Sequence, residues 1–341
     1  MRIFVTGTEG YLGSLLAPEL LRRGYEVIGL DSGFYKERAL YSNDGNTPFT
    51  LAKDLRLIEA KDLRRVDAVV HMAELSNDPA GELAPSITYE INHQGSVHLA
   101  ELAKSVGIPR FVYMSSCSVY GVAEADFVNE TSPVNPQTAY AACKTLVERD
   151  VRALADKRFS PTFMRNATAY GASPRMRFDL VLNNLAGLAW TTKEIRMTSD
   201  GTPWRPLVHG LDIAQAIIAV LEAPIEAVQG EIFNVGDNGH NYRVREIAEI
   251  VAARFPGCKL AFGSGLDNRS YRVSFDKIGR HLPGFKCAWD AERGAKQLYE
   301  LFKRIDLTGE VFGFRSFTRL KQLQYLLRTE QIDDHFFWHL T

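Results

Sequence analysis

Over the first 170 residues, short apolar runs alternate with longer amphipathic ones. Residues 3–5, 26–30, 68–71, 111–114 and 162–164 are rich in Val, Ile and Phe and read as buried strands. Between them, residues 13–23, 87–106 and 139–154 read as helices. Gly24 stops the first, and Gly107, with Pro109 beyond it, stops the second. This order predicts parallel strands joined by right-handed crossovers, hence an α/β protein with a doubly wound sheet. After Gly171 the pattern loosens. Residues 180–190, 211–221 and 244–255 read as helices, and 232–235 as a strand. Near the end, Leu320, Leu323, Leu326 and Leu327 share a helix face, expected to pack on the protein's own surface.

Composition changes this picture little. The chain has 341 residues, 45% of them hydrophobic, with 40 Lys+Arg against 41 Asp+Glu and a net charge of -1. It is therefore globular rather than disordered, and the balanced charge argues against nucleic-acid or membrane-surface partners. Cys117, Cys143, Cys258 and Cys287 lie far apart, which fits neither a disulfide framework nor a zinc ribbon and predicts reduced thiols and no metal. A signal-peptide pattern and an apolar run long enough to span a membrane are both missing, so the expected location is cytoplasmic.

Chemistry enters at the first turn. Thr6-Gly7-Thr8-Glu9-Gly10-Tyr11-Leu12-Gly13 stands between the first strand and the first helix. Glycines there let the backbone turn sharply and approach a pyrophosphate at the helix N-terminus. The spacing is G-x-x-G-x-x-G rather than G-x-G-x-x-G. Asp31, followed by Ser32, ends the second strand, where a carboxylate binds ribose hydroxyls and repels a 2′-phosphate. The expected cofactor is NAD rather than NADP.

Further motifs follow in order. They are Asp54-Leu55, His71-Met72-Ala73, Asn92, Ser115-Ser116-Cys117-Ser118-Val119-Tyr120-Gly121, Tyr140-Ala141-Ala142-Cys143-Lys144, and the stretch from Arg205 to Asp212. Tyr140 and Lys144 are one helical turn apart and project from one face. Together with the glycine turn, these motifs resemble the extended short-chain dehydrogenases/reductases, in the NAD-dependent epimerase/dehydratase group that modifies nucleotide-diphosphate sugars. The resemblance spans about residues 1–290 and implies a Rossmann sheet with a smaller mixed α/β substrate-binding cap. It implies that Tyr140 is the acid/base, that Lys144 holds the nicotinamide ribose and lowers the Tyr140 pKa, and that Ser116 binds the substrate oxygen. It places Gly7, Gly10, Tyr11, Leu12, Gly13, Asp31, Ser32, Asp54, Leu55, Met72, Ala73 and Asn166 along NAD. Ser76, Asn184, Arg205 and Arg269 are implied to lie along the sugar nucleotide. The bland readings are an N-cap for Asp54, a structural role for His71 and a passive buried thiol for Cys117.

The group's 4,6-dehydratases carry an Asp-Glu pair where this chain has Cys117 and Ser118, which cannot supply two carboxylate proton shuttles. The resemblance therefore implies hydride transfer at C4, with 4-epimerisation ahead of 4-ketoreduction. A sugar dehydratase, a reductase of a non-sugar ketone and a non-catalytic NAD-binding protein are weaker readings. Thr168 and Pro206-Leu207 depart from the group's usual residues and point to a sugar outside the glucose/galactose pair. The loop Glu74-Leu75-Ser76-Asn77-Asp78-Pro79 is expected to open over that sugar.

The implied organisation is discontinuous. Residues 1–171 plus about 205–235 form the NAD domain, about 172–204 plus 236–305 the cap, and 306–341 a C-terminal helical extension. A homodimer through the helices at 87–106 and 139–154 is implied as well.

Overall fold

The computed structural model describes every residue except 43–44, 123–125, 198, 266–269 and 340–341. Arg269 thus lies outside the described residues. Seven parallel strands form the central sheet: β1 (Arg2–Thr6), β2 (Glu26–Asp31), β3 (Phe49–Ala52), β4 (Ala68–His71), β5 (Arg110–Ser116), β6 (Ser160–Asn166) and β7 (Ile232–Val235). Their order is β7-β6-β5-β4-β1-β2-β3. The chain winds outward from β1 in one direction and from β4 in the other, so the reversal falls between these two strands. Ligands of doubly wound sheets bind at the carboxyl ends of the strands beside that reversal.

Apolar side chains cover both faces. On one, α1 (Gly13–Arg22) and the helix Gly210–Glu222 pack over Ile3, Val5, Val70 and Val112. On the other, α2 (Gly95–Ser105) and α3 (Ala139–Arg152) cover Phe4, Val69, Phe111 and Phe163. The predicted helix at 87–106 is not uniform. Pro85–Thr88 leads into a π-helical turn, Tyr89–Gln94, before α2 begins. Such turns are frequent at functional sites, and this one brings Asn92 beneath the loop after β4.

A second core is built by the helices Val181–Thr191, Val244–Arg254 and Ala291–Arg304 around Ala186, Ile247, Leu298 and Phe302. The sequence reading passed over Ala291–Arg304, although Ala291, Ala295, Leu298 and Phe302 give it one apolar face. Trp204–His209 lies between Thr168–Tyr170 and Asn241–Arg243 in a separate three-stranded sheet. Residues 306–339 wrap back onto the sheet's loops. Leu323, Leu326, Ile332 and Phe336 share a small core with Phe34, Leu75 and Ala80. Among the described residues, no helix is long and apolar enough to cross a membrane.

Candidate functional site

One cavity of about 510 Å³ runs along the carboxyl ends of β1, β2, β4, β5 and β6. At one end stands the glycine turn. Gly7 adopts φ +76°, and a Cβ there would meet the Ala73 amide at 3.1 Å. A Cβ on Gly13 would fall 2.0 Å from the Gly7 carbonyl, so only glycine lets α1 start this close to the turn. The Tyr11 hydroxyl donates to the Gly171 carbonyl (2.8 Å), tying the turn to the start of the next segment.

Asp31 closes β2 and accepts from the amides of Glu9 (2.9 Å) and Gly33 (2.7 Å). Burial pushes its carboxyl above the usual range, and the two amides counter this. Each oxygen keeps a lone pair for a ribose hydroxyl. Ser32, Asp54 and Leu55 line the same end. Asp54 caps the turn Leu55–Leu57 through the Arg56 amide, and both its oxygens bind the Arg56 guanidinium. The N-cap reading of Asp54 is thus the one its side chain shows.

The loop after β4 is set by buried hydrogen bonds. Thr6 Oγ1 accepts from the amides of Met72 (2.9 Å) and Ala73 (3.0 Å) and lies 2.7 Å from His71 Nδ1. His71 Nε2 reaches Ser96 Oγ at 2.7 Å. With Thr6 donating to Nδ1, Nε2 carries the proton. Burial, then the Lys144 charge, push the His71 pKa down to about 3, so the imidazole stays neutral and structural. Asn92 clamps Leu75 from below, accepting its amide and donating to its carbonyl.

At the far end, Ser116, Tyr140, Lys144 and Asn166 meet. Thr138 caps α3, and Tyr140 and Lys144 follow one turn apart. Ser116 Oγ accepts from the Ser118 amide (3.1 Å), and the side chain lies near enough to the Tyr140 hydroxyl to lower its pKa. The Asn166 amide donates to the Ser115 and Met164 carbonyls, leaving its buried Oδ1 without a partner among the described residues. An amide N–H donor, such as a carboxamide, would satisfy it. This orphan acceptor, the glycine cradle and the two-pronged Asp31 all fit a nicotinamide dinucleotide.

The sequence reading missed the role of Glu74. Its carboxylate turns inward, with Oε2 2.6 Å from Lys144 Nζ and Oε1 accepting from the Tyr113 hydroxyl (2.6 Å). Lys144 also donates to the Met114 carbonyl and lies 5.4 Å from the Tyr140 ring centroid. Burial alone would depress the Lys144 pKa, but Glu74 and Tyr140 raise it. The Tyr140 pKa moves opposite to expectation. Burial raises it, and Lys144 and Ser116, which lower it, do not win while Glu74 adds a further raise. The only advance signal for Glu74 was a carboxylate just after the strand-four motif.

On the remaining wall, Ser76 and Arg205 line the cavity. Arg205 Nη1 donates to the Trp204 carbonyl. Asn184 stands beside this wall rather than on it: its side-chain amide donates to the Phe178 carbonyl (2.9 Å), and Leu180 and Val181 line the cavity there. Cys117 points into the core with Sγ 3.2 Å from the Arg165 carbonyl, and burial raises its pKa well above the ordinary thiol range. It is a passive thiol.

Comparison with known proteins agrees with this geometry. The NAD dependent epimerase/dehydratase family matches residues 3–236. UDP-glucose 4-epimerase of Bacillus subtilis (strain 168) is 28% identical over 334 residues, covering 87% of this chain and 94% of that protein. Among solved structures, TunA, an NAD dependent NDP-hexosamine 5,6-dehydratase of tunicamycin biosynthesis, superposes with TM-score 0.79 at 26% identity. The match covers 90% of this chain and 99% of TunA. DesIV, the dTDP-glucose 4,6-dehydratase of Streptomyces venezuelae solved with NAD bound, gives TM-score 0.74 at 25% identity over 89% and 97% of the two chains. The chain belongs to the NAD dependent epimerase/dehydratase family, and its cofactor is NAD.

Proposed function

We propose that this enzyme transfers a hydride at C4 of a nucleotide-diphosphate sugar with Tyr140 as the acid/base, and that the outcome is 4-epimerisation. The observation that carries the reading is the convergence of Tyr140, Ser116 and Lys144 at one end of the cavity, beside a Cys117 withdrawn from it. Bound NAD supplies a hydride acceptor and a positive ring. Tyr140 takes the proton of the sugar hydroxyl, and Ser116 holds that oxygen in line. Lys144 keeps a positive charge beside the phenol and reaches the nicotinamide ribose. Removing a proton and later returning it to the same oxygen needs one acid/base group and no second carboxylate pair. Arg205, whose planar fork suits phosphate oxygens, holds the sugar nucleotide's diphosphate, and Ser76 faces the sugar.

The proposed NAD domain is residues 1–171 plus about 205–235, with the cap and the C-terminal extension as divided above. Copies of the chain pair through α2 and α3; light scattering showing a monomer would remove that pairing. A second reading, elimination of water, is favoured by the likeness to TunA and by Glu74, Asp78 and Asp179 on the cavity wall.

The test is incubation with UDP-, dTDP-, GDP- and CDP-sugars, followed by mass spectrometry and proton NMR. Epimerisation leaves the mass unchanged and inverts one ring coupling, whereas elimination loses one water. Turnover that requires added NADH and a 4-keto sugar would replace epimerisation by ketoreduction. Tyr140→Phe is expected to abolish turnover with NAD affinity largely retained. An active Tyr140→Phe protein would overturn the mechanism.

A further inference from the structure

The cavity wall contains a cation that no motif announces. Arg319 is the first residue of the helix Arg319–Arg328, far beyond residue 236 where the family match ends. It lines the same cavity as the glycine turn and Asp31, yet it is only 3% exposed. Its guanidinium stacks 3.9 Å over the Tyr35 ring. Among the described residues it has no hydrogen bond or ion pair.

That arrangement is costly. A guanidinium offers five donors, and burying a charge without acceptors is strongly unfavourable. The nearby Asp179 and Asp31 charges relieve it only in part, since neither carboxylate hydrogen-bonds the guanidinium and both are engaged elsewhere. Asp31 accepts two backbone amides, and Asp179 binds Arg177 through both oxygens and also accepts from Asn77. Burial and the Arg177 charge push the Arg319 pKa down to about 10, which still leaves it charged at neutral pH.

The position is enforced by the segment that carries it. Gln322 donates to the Phe34 carbonyl (3.0 Å), and Trp338 Nε1 donates to the Ser32 carbonyl (2.6 Å). Both carbonyls belong to the loop that follows Asp31. Arg319 is thereby held near Asp31, the carboxylate read as the adenosine-ribose ligand, on the wall of the cavity that the glycine turn also lines. The part of a dinucleotide that spans from that ribose to that turn is its diphosphate.

We propose that Arg319 is an anion-binding residue of the cofactor site, brought in by the C-terminal segment to hold a phosphate oxygen of the dinucleotide's diphosphate. The grip on NAD then has two halves from opposite ends of the chain: backbone amides of the glycine turn, and a guanidinium fork facing them. This rests on NAD lying along the glycine turn and is independent of which sugar reaction follows.

The experiment is calorimetric titration of the nucleotide-free full chain with adenosine, ADP-ribose, NAD, NADP and UDP. Wild type is compared with Arg319→Met and Arg319→Lys. Arg319→Met is expected to weaken NAD and ADP-ribose about ten- to a hundred-fold, the range for a hydrogen bond to a charged group. Adenosine and UDP should bind as to wild type, and Arg319→Lys should recover part of the loss. The nucleotide-free Arg319→Met protein should melt at the same or a higher temperature, since an unpaired buried charge is gone. An unchanged NAD affinity overturns the proposal. So does a loss confined to UDP, which assigns the residue to the sugar nucleotide, or one confined to NADP, which assigns it to a 2′-phosphate. Equal weakening of adenosine with a lower melting temperature also overturns it, because Arg319 would then serve only the packing of the C-terminal segment.

Discussion

Tyr140 and Lys144 are legible in the sequence as a pair, but their charge state is set by a residue seventy positions away from the lysine. Glu74 faces Lys144 at 2.6 Å, so the ammonium's pull on the phenol is partly offset by a carboxylate. The result is a Tyr140 hydroxyl held above its ordinary pKa by burial. Oxidation of the sugar hydroxyl needs the phenolate, so the rate rises with pH through the Tyr140 pKa. Glu74→Gln keeps acceptors for Lys144 and Tyr113 but removes the negative charge, which should lower that pKa. The rising limb of the kcat profile is therefore expected to move to lower pH. A limb that stays in place would show that Glu74 does not couple to Tyr140.

At the scale of elements, α3 carries both catalytic candidates, so its seating on the sheet decides where they stand. Glu148, one turn beyond Lys144, forms a buried ion pair with Arg165 on β6 (2.6 Å) and also accepts from Ser115 on β5. Arg165 in turn donates to the Tyr120 hydroxyl (3.0 Å), which donates to Asn234 on β7 (2.7 Å). Three neighbouring strands thus read the position of one helix. Breaking such a pair leaves a buried charge uncompensated, typically at about 3–5 kcal/mol. Glu148→Gln should lower the urea midpoint by the equivalent of a few kcal/mol with an unchanged m-value. A shift no larger than that of an exposed Glu→Gln control would show that the pair does not anchor α3. The amphipathic run at 139–154 announced α3, but nothing in it marked Glu148 as buried. The helix Ala291–Arg304 and the π-helical turn at Tyr89–Gln94 were less legible. The first lies outside the sheet-forming pattern, and the second keeps a nearly helical periodicity.

For the molecule as a whole, two buried histidines set an acid limit. Burial holds His71 at about 3 and His209 at about 4, against an ordinary 6.5. The unfolded chain therefore takes up protons that the folded chain refuses, and stability is lost as pH falls through 6.5 towards those values. Each contributes a slope of about 1.4 kcal/mol per pH unit within that window. Asp31 and Asp212, pushed upward by burial, act in the opposite sense nearer the ordinary carboxylate range. Melting temperature is expected to fall steadily between pH 6.5 and about 5. His209 Nδ1 accepts the Leu211 amide at the start of the helix Gly210–Glu222 and loses that acceptor on protonation. His209→Asn should flatten the fall; a slope equal to wild type would remove His209 from this account.

What the sequence by itself determined is what short spacing can encode. Alternating strands and helices define the doubly wound sheet, three glycines define a turn open to a phosphate, and Tyr140 and Lys144 share a face because they are one turn apart. What only the tertiary structure decided lies in contacts between distant residues. Glu74 meets Lys144, Tyr35 stacks under Arg319, and Asn184 turns to the Phe178 carbonyl instead of the cavity. Side-chain direction, burial and the pairing of charges depend on which distant segment packs alongside, and no local pattern carries that information.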